Sequence, residues 1–175
     1  MKLSIMAAMS QNRVIGKENR LPWLHIPADW ANLHRVCHGK KMIMGRKSYD
    51  TPDRVWSEVG NIVITRQKDY EVEEGFTIAH SLEDALTMVK GENEVFIIGG
   101  EEIFRQSIHL IETIHLTIIH KELAGDAFFP EFEEKFTEVS RADFKADSEN
   151  LYDYSFLVYE RVPLATASHK EIVVA

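Results

Sequence analysis

Apolar and polar positions follow two different periods along the chain, and the two periods alternate. Residues 3–9 and 94–98 form short apolar runs with the length of buried strands, whereas residues 28–37 repeat their apolar positions at helical spacing. Gly39 follows this helix at a position where glycine commonly ends helices. Because strands alternate with helices, we predict an α/β domain whose mostly parallel sheet is covered on both faces.

The remaining elements follow from the same patterns. We predict further strands at residues 41–44, 61–65, 75–79 and 112–120, and helices at residues 46–51, 81–89 and 101–108. Two long strand-like segments, 136–144 and 152–161, are joined by the polar residues 145–150, which predicts an antiparallel hairpin at the end of the sheet. We expect one domain over residues 1–162 and an unpacked C-terminal tail over residues 163–175.

The segment 10–27 has no predicted element, since Gly16 and Pro22 interrupt any periodic pattern. Loops of this length in compact domains are usually functional or disordered. Ile15 and Trp23 make the segment too apolar for a disordered linker. We therefore expect a loop that takes part in function.

Composition narrows the class of protein. The chain has 175 residues, a formal net charge of −8 and a single cysteine, Cys37. The negative charge argues against nucleic-acid binding and against a polybasic membrane surface, and no apolar run has the length of a membrane span. One cysteine excludes an intrachain disulfide framework, and the scattered histidines form no credible metal-ligand pattern, so we expect no metal site. We expect a cytoplasmic protein.

Two glycines, Gly99 and Gly100, stand between a predicted strand and a predicted helix. Ligands bind at the carboxyl ends of strands in open parallel sheets, and glycines let the backbone approach them closely. A plain strand-to-helix turn accounts for the pair equally well. The pattern is not the Gly-x-Gly-x-x-Gly motif of standard dinucleotide sites.

Cationic side chains end two other predicted strands. Arg46 and Lys47 follow one strand, and Arg66 follows the next. Cations at two strand ends of an acidic protein suggest an anion site, in which Arg66 could hold an extra phosphate through two hydrogen bonds. Solvated surface charge is the alternative.

Asp29 stands near the start of the helix predicted at residues 28–37. An aspartate there is most often a helix cap. The functional alternative requires the side chain to face a pocket and bind a cationic or amidine-like group. The aromatic residues are expected mainly in the core, namely Trp30, Phe96, Phe104, Phe128, Phe129 and Phe156.

Together, short motifs in a fixed order resemble bacterial dihydrofolate reductases over residues 1–162. The motifs are Ala7-Ala8, Val14-Ile15-Gly16, Leu21-Pro22-Trp23, Pro27-Ala28-Asp29, Met44-Gly45-Arg46-Lys47-Ser48, Asn61-Ile62-Val63-Ile64-Thr65-Arg66, Ile97-Ile98-Gly99-Gly100-Glu101, Leu116-Thr117 and Gly125-Asp126-Ala127-Phe128-Phe129-Pro130.

The resemblance implies NADPH-dependent reduction of 7,8-dihydrofolate to tetrahydrofolate by an eight-stranded, monomeric enzyme of one-carbon metabolism that is a target of antifolates. By position, Asp29 would hold the pterin ring, Thr117 would share its hydrogen bonds, and Trp23 would position a water. The residues implied in catalysis are Asp29, Trp23 and Leu21. Those implied in substrate binding are Met6, Ala7, Ala8, Asp29, Leu33, Arg54 and Thr117.

The resemblance also implies the cofactor site. The loop at residues 10–27 would close over the nicotinamide, and the peptide bond between Gly99 and Gly100 would be cis. The residues implied in NADPH binding are Ala8, Ile15, Gly16, Gly45, Arg46, Lys47, Ser48, Thr65, Arg66, Ile98, Gly99, Gly100, Glu101, Ile103 and Phe104.

One departure from the family pattern bears on the substrate. Val59 stands where the family usually has an arginine that grips the carboxylate of the substrate's glutamate tail, and Arg54 and Arg35 are candidate replacements. Leu33 and Pro52 also depart from the family's usual residues at the benzoyl contact. Two alternatives remain open: an NADPH-dependent reductase of a tailless pterin or pyrimidine, and a catalytically idle NADP-binding protein.

Overall fold

A computed structural model describes residues 1–163 of the chain. Ten strands and four helices form it. The strands are β1 (Lys2–Ser10), β2 (Val14–Gly16), β3 (Lys41–Gly45), β4 (Asn61–Ile64), β5 (Phe76–Ala79), β6 (Glu94–Gly99), β7 (Thr113–Ile119), β8 (Ala127–Phe128), β9 (Phe136–Phe144) and β10 (Tyr154–Arg161). The helices are α1 (Pro27–Cys37), α2 (Arg46–Asp50), α3 (Leu82–Met88) and α4 (Glu101–Ser107).

Eight of the strands form one sheet in the order β5-β4-β3-β6-β1-β7-β10-β9. The first six strands in this order, which end with β7, pair in parallel with their neighbours. Strand β10 pairs antiparallel with both β7 and β9. The mostly parallel sheet and its C-terminal antiparallel hairpin are thus confirmed. Because the parallel strands run the same way, their carboxyl ends meet at one edge of the sheet.

The central parallel strands β1, β3, β4 and β6 are buried on both faces, because their alternate residues pack against apolar clusters on opposite sides of the sheet. On β1, Ile5 packs with the cluster beneath α3 and α4, whereas Met6 packs with the cluster beneath α1. Helix α3 begins as predicted, since Ser81 Oγ accepts a hydrogen bond of 3.0 Å from the backbone N–H of Asp84.

The prediction that segment 10–27 lacks regular structure is wrong at Ser10, which ends β1, at Val14–Gly16, and at Pro27, which begins α1. Strand β2 lies within this segment and pairs antiparallel with β8 as a separate two-stranded sheet. Both strands are too short to show a period, and their pairing is long-range, so the local sequence pattern carries no signal of it. The prediction of a core position for Phe128 is also wrong, since this β8 side chain is 43% exposed.

The C-terminal end of the chain gives no test of the predicted tail. Apart from Pro163, residues 163–175 lie outside the described residues. Within residues 1–163, none of the helices has the length and apolar character needed to cross a membrane.

Candidate active site

The carboxyl ends of β1, β3, β4 and β6 open onto a cavity of about 1200 Å³. The pairing registers explain why residues distant in sequence meet there. Gly99 at the end of β6 lies beside Met44 of β3, and Ala8 of β1 lies beside Thr117 of β7. This is the edge at which parallel sheets of α/β proteins bind ligands.

Most residues that the sequence nominated lie in the wall of this one cavity. They are Met6, Ala7, Ala8, Ile15, Gly16, Leu21, Trp23, Asp29, Leu33, Gly45, Arg46, Lys47, Ser48, Thr65, Arg66, Ile98, Gly100, Glu101, Ile103 and Phe104. Gly99 is joined to Gly100 by a cis peptide bond. Thr117 lies directly behind the wall, and Arg54 lies elsewhere.

Asp29 is a buried acid of the cavity wall rather than a helix cap. The N-cap position of α1 is Ile26, and Pro27 is the first helical residue. Asp29 lies in the first turn with 8% of its surface exposed, and its Oδ1 accepts a hydrogen bond of 2.6 Å from Thr117 Oγ1. Thr117 uses one lone pair of Oδ1, so Oδ2 and the second lone pair of Oδ1 remain available to a ligand in the cavity.

Burial raises the pKa of Asp29 above its ordinary value. The hydrogen bond from Thr117 and the nearby His25 act in the opposite direction and are outweighed. A carboxyl in this state takes up a proton more readily than a solvated aspartate, while its geometry is suited to two parallel hydrogen bonds from a flat cation. The acid is therefore equipped both to orient a heterocycle and to take part in its protonation.

Trp23 forms the side of the cavity next to Asp29. The indole is buried and packs with Ile26 and Ile119, and Leu21 and Ala8 lie against the same cluster. These contacts fix the segment that leads into α1. The apolar wall beside Asp29 is therefore rigid, as a site for a flat ring requires.

The opposite end of the cavity is rich in hydrogen-bond donors. Arg46 pairs with Asp50 at 2.8 Å, whereas Lys47 and Arg66 are exposed and form no salt bridge with any residue in the range 1–163. A Cβ atom at Gly99 would lie 3.1 Å from the ring of Phe104 and 3.6 Å from Ser48 Oγ, so this turn packs closely on its neighbours. The arrangement suits an extended ligand that carries phosphates.

Several wall residues at this end were not nominated from the sequence, among them Gln67, Glu102, His80 and Ser81. His80 and Ser81 follow β5 and line the cavity, and His80 Nδ1 lies 2.9 Å from the carbonyl oxygen of Thr65. They could have been nominated because they follow the predicted strand at 75–79, and the ends of the neighbouring parallel strands had already supplied candidates.

The loop that carries β2 is fastened over the cavity by the segment around Asp126. The backbone N–H of Asp126 donates to Gly16 O at 3.0 Å, and the N–H of Glu18 donates to Asp126 Oδ2 at 2.9 Å. A Cβ atom at Gly125 would lie 2.1 Å from Val14 Cγ1, so only glycine permits this approach. Ile15 and Gly16 of the loop thereby become part of the cavity wall.

Arg54 is held outside the main cavity. Its guanidinium pairs with Glu73 at 2.8 Å, donates to Tyr49 O at 3.3 Å and lies 4.4 Å from the centre of the Tyr49 ring. It lines a second cavity of about 460 Å³ that shares Thr51 with the first. Val59 is 49% exposed and lines neither cavity.

Comparison with known proteins gives a consistent result. The model of the family described as dihydrofolate reductase matches residues 2–161. The chain is 39% identical to the dihydrofolate reductase of Staphylococcus haemolyticus, over 93% of this chain and 97% of the relative. It is also 39% identical to the dihydrofolate reductase of Bacillus subtilis (strain 168), over 91% of this chain and 94% of the relative.

A solved structure is similar across the whole fold. Dihydrofolate reductase from Enterococcus faecalis, complexed with NADP(H) and RAB-propyl, matches with a TM-score of 0.81 at 30% identity. The match covers 93% of this chain and 97% of that one.

Proposed function

The chain belongs to the dihydrofolate reductase family, and we propose that its cavity binds NADPH and 7,8-dihydrofolate side by side and reduces the pterin ring to the tetrahydro form. The observation that carries this proposal is Asp29, a buried acid that is bonded to Thr117 and faces a cavity at the strand ends beside Gly100. Nucleotide binding alone does not require such an acid, which argues against an idle NADP-binding protein.

Asp29 binds the pterin in this proposal. The ring nitrogen and the 2-amino group of a pterin form a pair of donors with the spacing of a carboxylate, so they match the two oxygens of Asp29. Thr117 holds one oxygen and so fixes the plane of the carboxylate. Met6, Ala7, Ala8 and Leu33 line the cavity on either side with apolar or small side chains.

The substrate must gain a proton on its ring nitrogen as well as a hydride. Burial raises the pKa of Asp29, so the acid favours protonation of the bound ring through a water beside Trp23. Leu21 and Trp23 cover this position and limit access of bulk water. The residues thus supply orientation, a proton and a dry environment.

The residues of the second half of the cavity fit NADPH. When bound, this cofactor supplies the hydride. Lys47 and Arg66 are cations at two neighbouring strand ends, and the close turn at Gly99 and Gly100 leads into the N-terminus of α4, where backbone N–H groups attract phosphates. Arg66 is suited to the extra phosphate that separates NADPH from NADH. Ile15 and Gly16 of the fastened loop exclude water from the nicotinamide end.

The proposal is tested by following loss of NADPH absorbance with purified protein and dihydrofolate, beside an NADH control. We expect turnover with NADPH and much slower turnover with NADH. A protein that binds NADPH but leaves dihydrofolate unchanged would contradict the proposal.

A second candidate substrate is a pterin that lacks the glutamate tail. It is favoured by Val59, which supplies no charge, and by the pairing of Arg54 with Glu73 outside the main cavity. Parallel assays with dihydrofolate and dihydrobiopterin separate the two, since a strong preference for dihydrobiopterin would support the second candidate.

A further inference from the structure

The first turn of α1 lacks a cap from its own sequence. Ile26 at the N-cap has no side-chain acceptor, and no side-chain hydrogen bond from this position is present. Pro27 has no backbone N–H, so the first N–H of the helix that needs a partner is that of Ala28. Helices normally satisfy such a group with a nearby serine, threonine, aspartate or asparagine.

In this protein the partner of Ala28 comes from the far end of the chain. The side-chain oxygen of Asn150 accepts a hydrogen bond of 3.0 Å from the backbone N–H of Ala28, across 122 residues. Asn150 lies in the connection between β9 and β10 and is only 5% exposed. It therefore caps α1 from a separate part of the fold.

Asp147 fixes the orientation of this amide. The Asn150 side-chain nitrogen donates to both carboxylate oxygens of Asp147, at 3.2 and 3.3 Å, and the backbone N–H of Asn150 donates to Asp147 Oδ1 at 2.7 Å. The backbone N–H of Asp147 donates back to Asn150 O at 2.9 Å. Since the nitrogen is committed to a carboxylate, the oxygen is left to face Ala28.

Ala28 immediately precedes Asp29, so a contact that fixes Ala28 also fixes the backbone of the acid. Asp29 is then held at two points: Thr117 holds its side chain, and Asn150 holds the residue before it. The buried Ile26 holds the segment before the helix, and the bond from Asn150 adds a contact at Ala28 itself, which the single side-chain bond of Thr117 does not supply.

We propose that Asn150 is a positioning residue, which acts through the N–H of Ala28 to hold Asp29 buried against the cavity. The kinetic part of this inference rests on the proposed function, but the placement of Asp29 does not. Removal of the amide would let the first turn of α1 move outward and expose the acid to water. Other groups that act on Asp29 are Thr117 from β7 and His25 from the preceding loop. The side-chain hydrogen bonds of Asn150 go to Ala28 and Asp147 and not to these two residues.

The test is a carbon-13 NMR titration of the Asp29 carboxyl in the ligand-free protein, with Asn150→Leu compared with wild type. The signal is assigned by its absence in Asp29→Asn. We expect the titration midpoint to fall by at least about half a pH unit, because a more solvated acid ionises more readily. In single-turnover assays at neutral pH, hydride transfer should slow about tenfold, with a smaller change in KM.

Two further variants make the test specific. Exchange of the two residues, Asp147→Asn with Asn150→Asp, keeps an acceptor for Ala28 and a donor between the two side chains, so the midpoint should return to the wild-type value or above. Asp147→Ala removes the support of the amide and of the backbone N–H groups of Glu149 and Asn150 but keeps the acceptor for Ala28, so it should lower the midpoint less than Asn150→Leu. If Asn150→Leu does not fold, the Asp29 midpoint in Asp147→Ala tests the inference instead: a lowered midpoint supports it, and an unchanged midpoint overturns it.

The matched control is Asn61→Leu. Asn61 is another buried asparagine that satisfies backbone groups, but it lies at the start of β4, at the opposite edge of the sheet from the cavity. The Asn61→Leu variant should lower Tm and leave the titration midpoint of Asp29 unchanged. An unchanged midpoint in Asn150→Leu, or an equal change in Asn61→Leu, would overturn the inference. A wild-type protein that titrates as expected but turns over no dihydrofolate would refute the proposed function alone.

Discussion

The hydroxyl of Thr117 lies 2.6 Å from Asp29 Oδ1 and joins β7 to α1 across 88 residues of sequence. Both side chains are buried, so little water competes for this hydrogen bond. The bond stabilises the ionised form of Asp29 and therefore opposes the effect of burial on its pKa. The balance between these two influences sets the pH range in which the acid changes its charge.

Replacement of Thr117 by valine should shift the pH dependence of hydride transfer to higher pH. Valine keeps the shape but removes the hydroxyl, so only His25 still opposes the effect of burial and the pKa of Asp29 rises further. Single-turnover rates across a pH series measure the shift. Thr113→Val, a buried threonine at the other end of β7, is the control and should leave the profile in place. A profile that moves to lower pH in Thr117→Val would contradict this account.

Replacement of Asp29 by asparagine should lower the rate of dihydrofolate reduction at neutral pH by about 10²–10⁴-fold, the usual contribution of a positioned acid. Asparagine has the same shape and still accepts a hydrogen bond from Thr117, so circular dichroism and NADPH affinity should remain as in wild type. The deficit should shrink in acidic buffer, where solvent supplies the proton. Unchanged turnover would remove Asp29 from the mechanism.

The same variant should stabilise the ligand-free protein at neutral pH. Below the ordinary pKa of 3.8 the acid is protonated in both folded and unfolded states and costs nothing. As pH rises through the window between 3.8 and the raised folded-state pKa, the unfolded chain ionises first, and the folded state loses stability. Tm of Asp29→Asn should therefore exceed that of wild type by a few degrees at neutral pH, and the difference should vanish on acidification. A Tm difference between Asp29→Asn and wild type that increases on acidification would contradict this prediction.

Replacement of Arg66 by alanine should raise KM for NADPH by about 10- to 100-fold, which corresponds to the loss of a charge-assisted hydrogen bond of roughly 1.5–3 kcal/mol. KM for NADH should change little, because NADH lacks the phosphate that Arg66 would contact. Lys68→Ala removes a neighbouring exposed cation outside the cavity wall and serves as the control. Equal losses with both cofactors would assign Arg66 a general electrostatic role instead.

Replacement of Arg54 by alanine tests whether Arg54 binds the substrate's glutamate tail in place of the family arginine, whose position is occupied here by Val59. We expect KM for dihydrofolate to rise about three- to tenfold and KM for dihydrobiopterin to stay constant, a modest effect because Arg54 already pairs with Glu73. Arg141→Ala, which removes a salt-bridged arginine on the edge strand β9, controls for loss of charge. Equal changes for both substrates would mean that Arg54 supports the packing of Tyr49 and not the substrate tail.

Local patterns in the sequence were sufficient to predict the strands of the main sheet and the strand ends at the cavity, whereas most other wall residues were named from the resemblance to the family. An apolar run shows where a parallel strand ends, and the residue after that end faces the ligand edge, which is why Gly45, Thr65 and Gly100 were found. The resemblance to the family added Asp29, whose position alone suggested a helix cap.

Contacts between distant segments account for what the sequence did not predict. The pairing of β2 with β8 depends on the absence of a side chain at Gly125, and the cap of α1 depends on Asn150. Neither relationship has a period or a neighbouring partner in the sequence. The pairing of Arg54 with Glu73 is of the same kind, and it decides whether a nominated cation faces the substrate.

The two supports of Asp29 are synthesised well after the helix that carries the acid. Helix α1 leaves the ribosome early, whereas Thr117 and Asn150 follow much later, because translation proceeds from the N-terminus. A nascent chain that ends before residue 150 carries the acid without the amide that caps its helix. The two hydrogen bonds that hold the acid are therefore complete only after residue 150 has been synthesised.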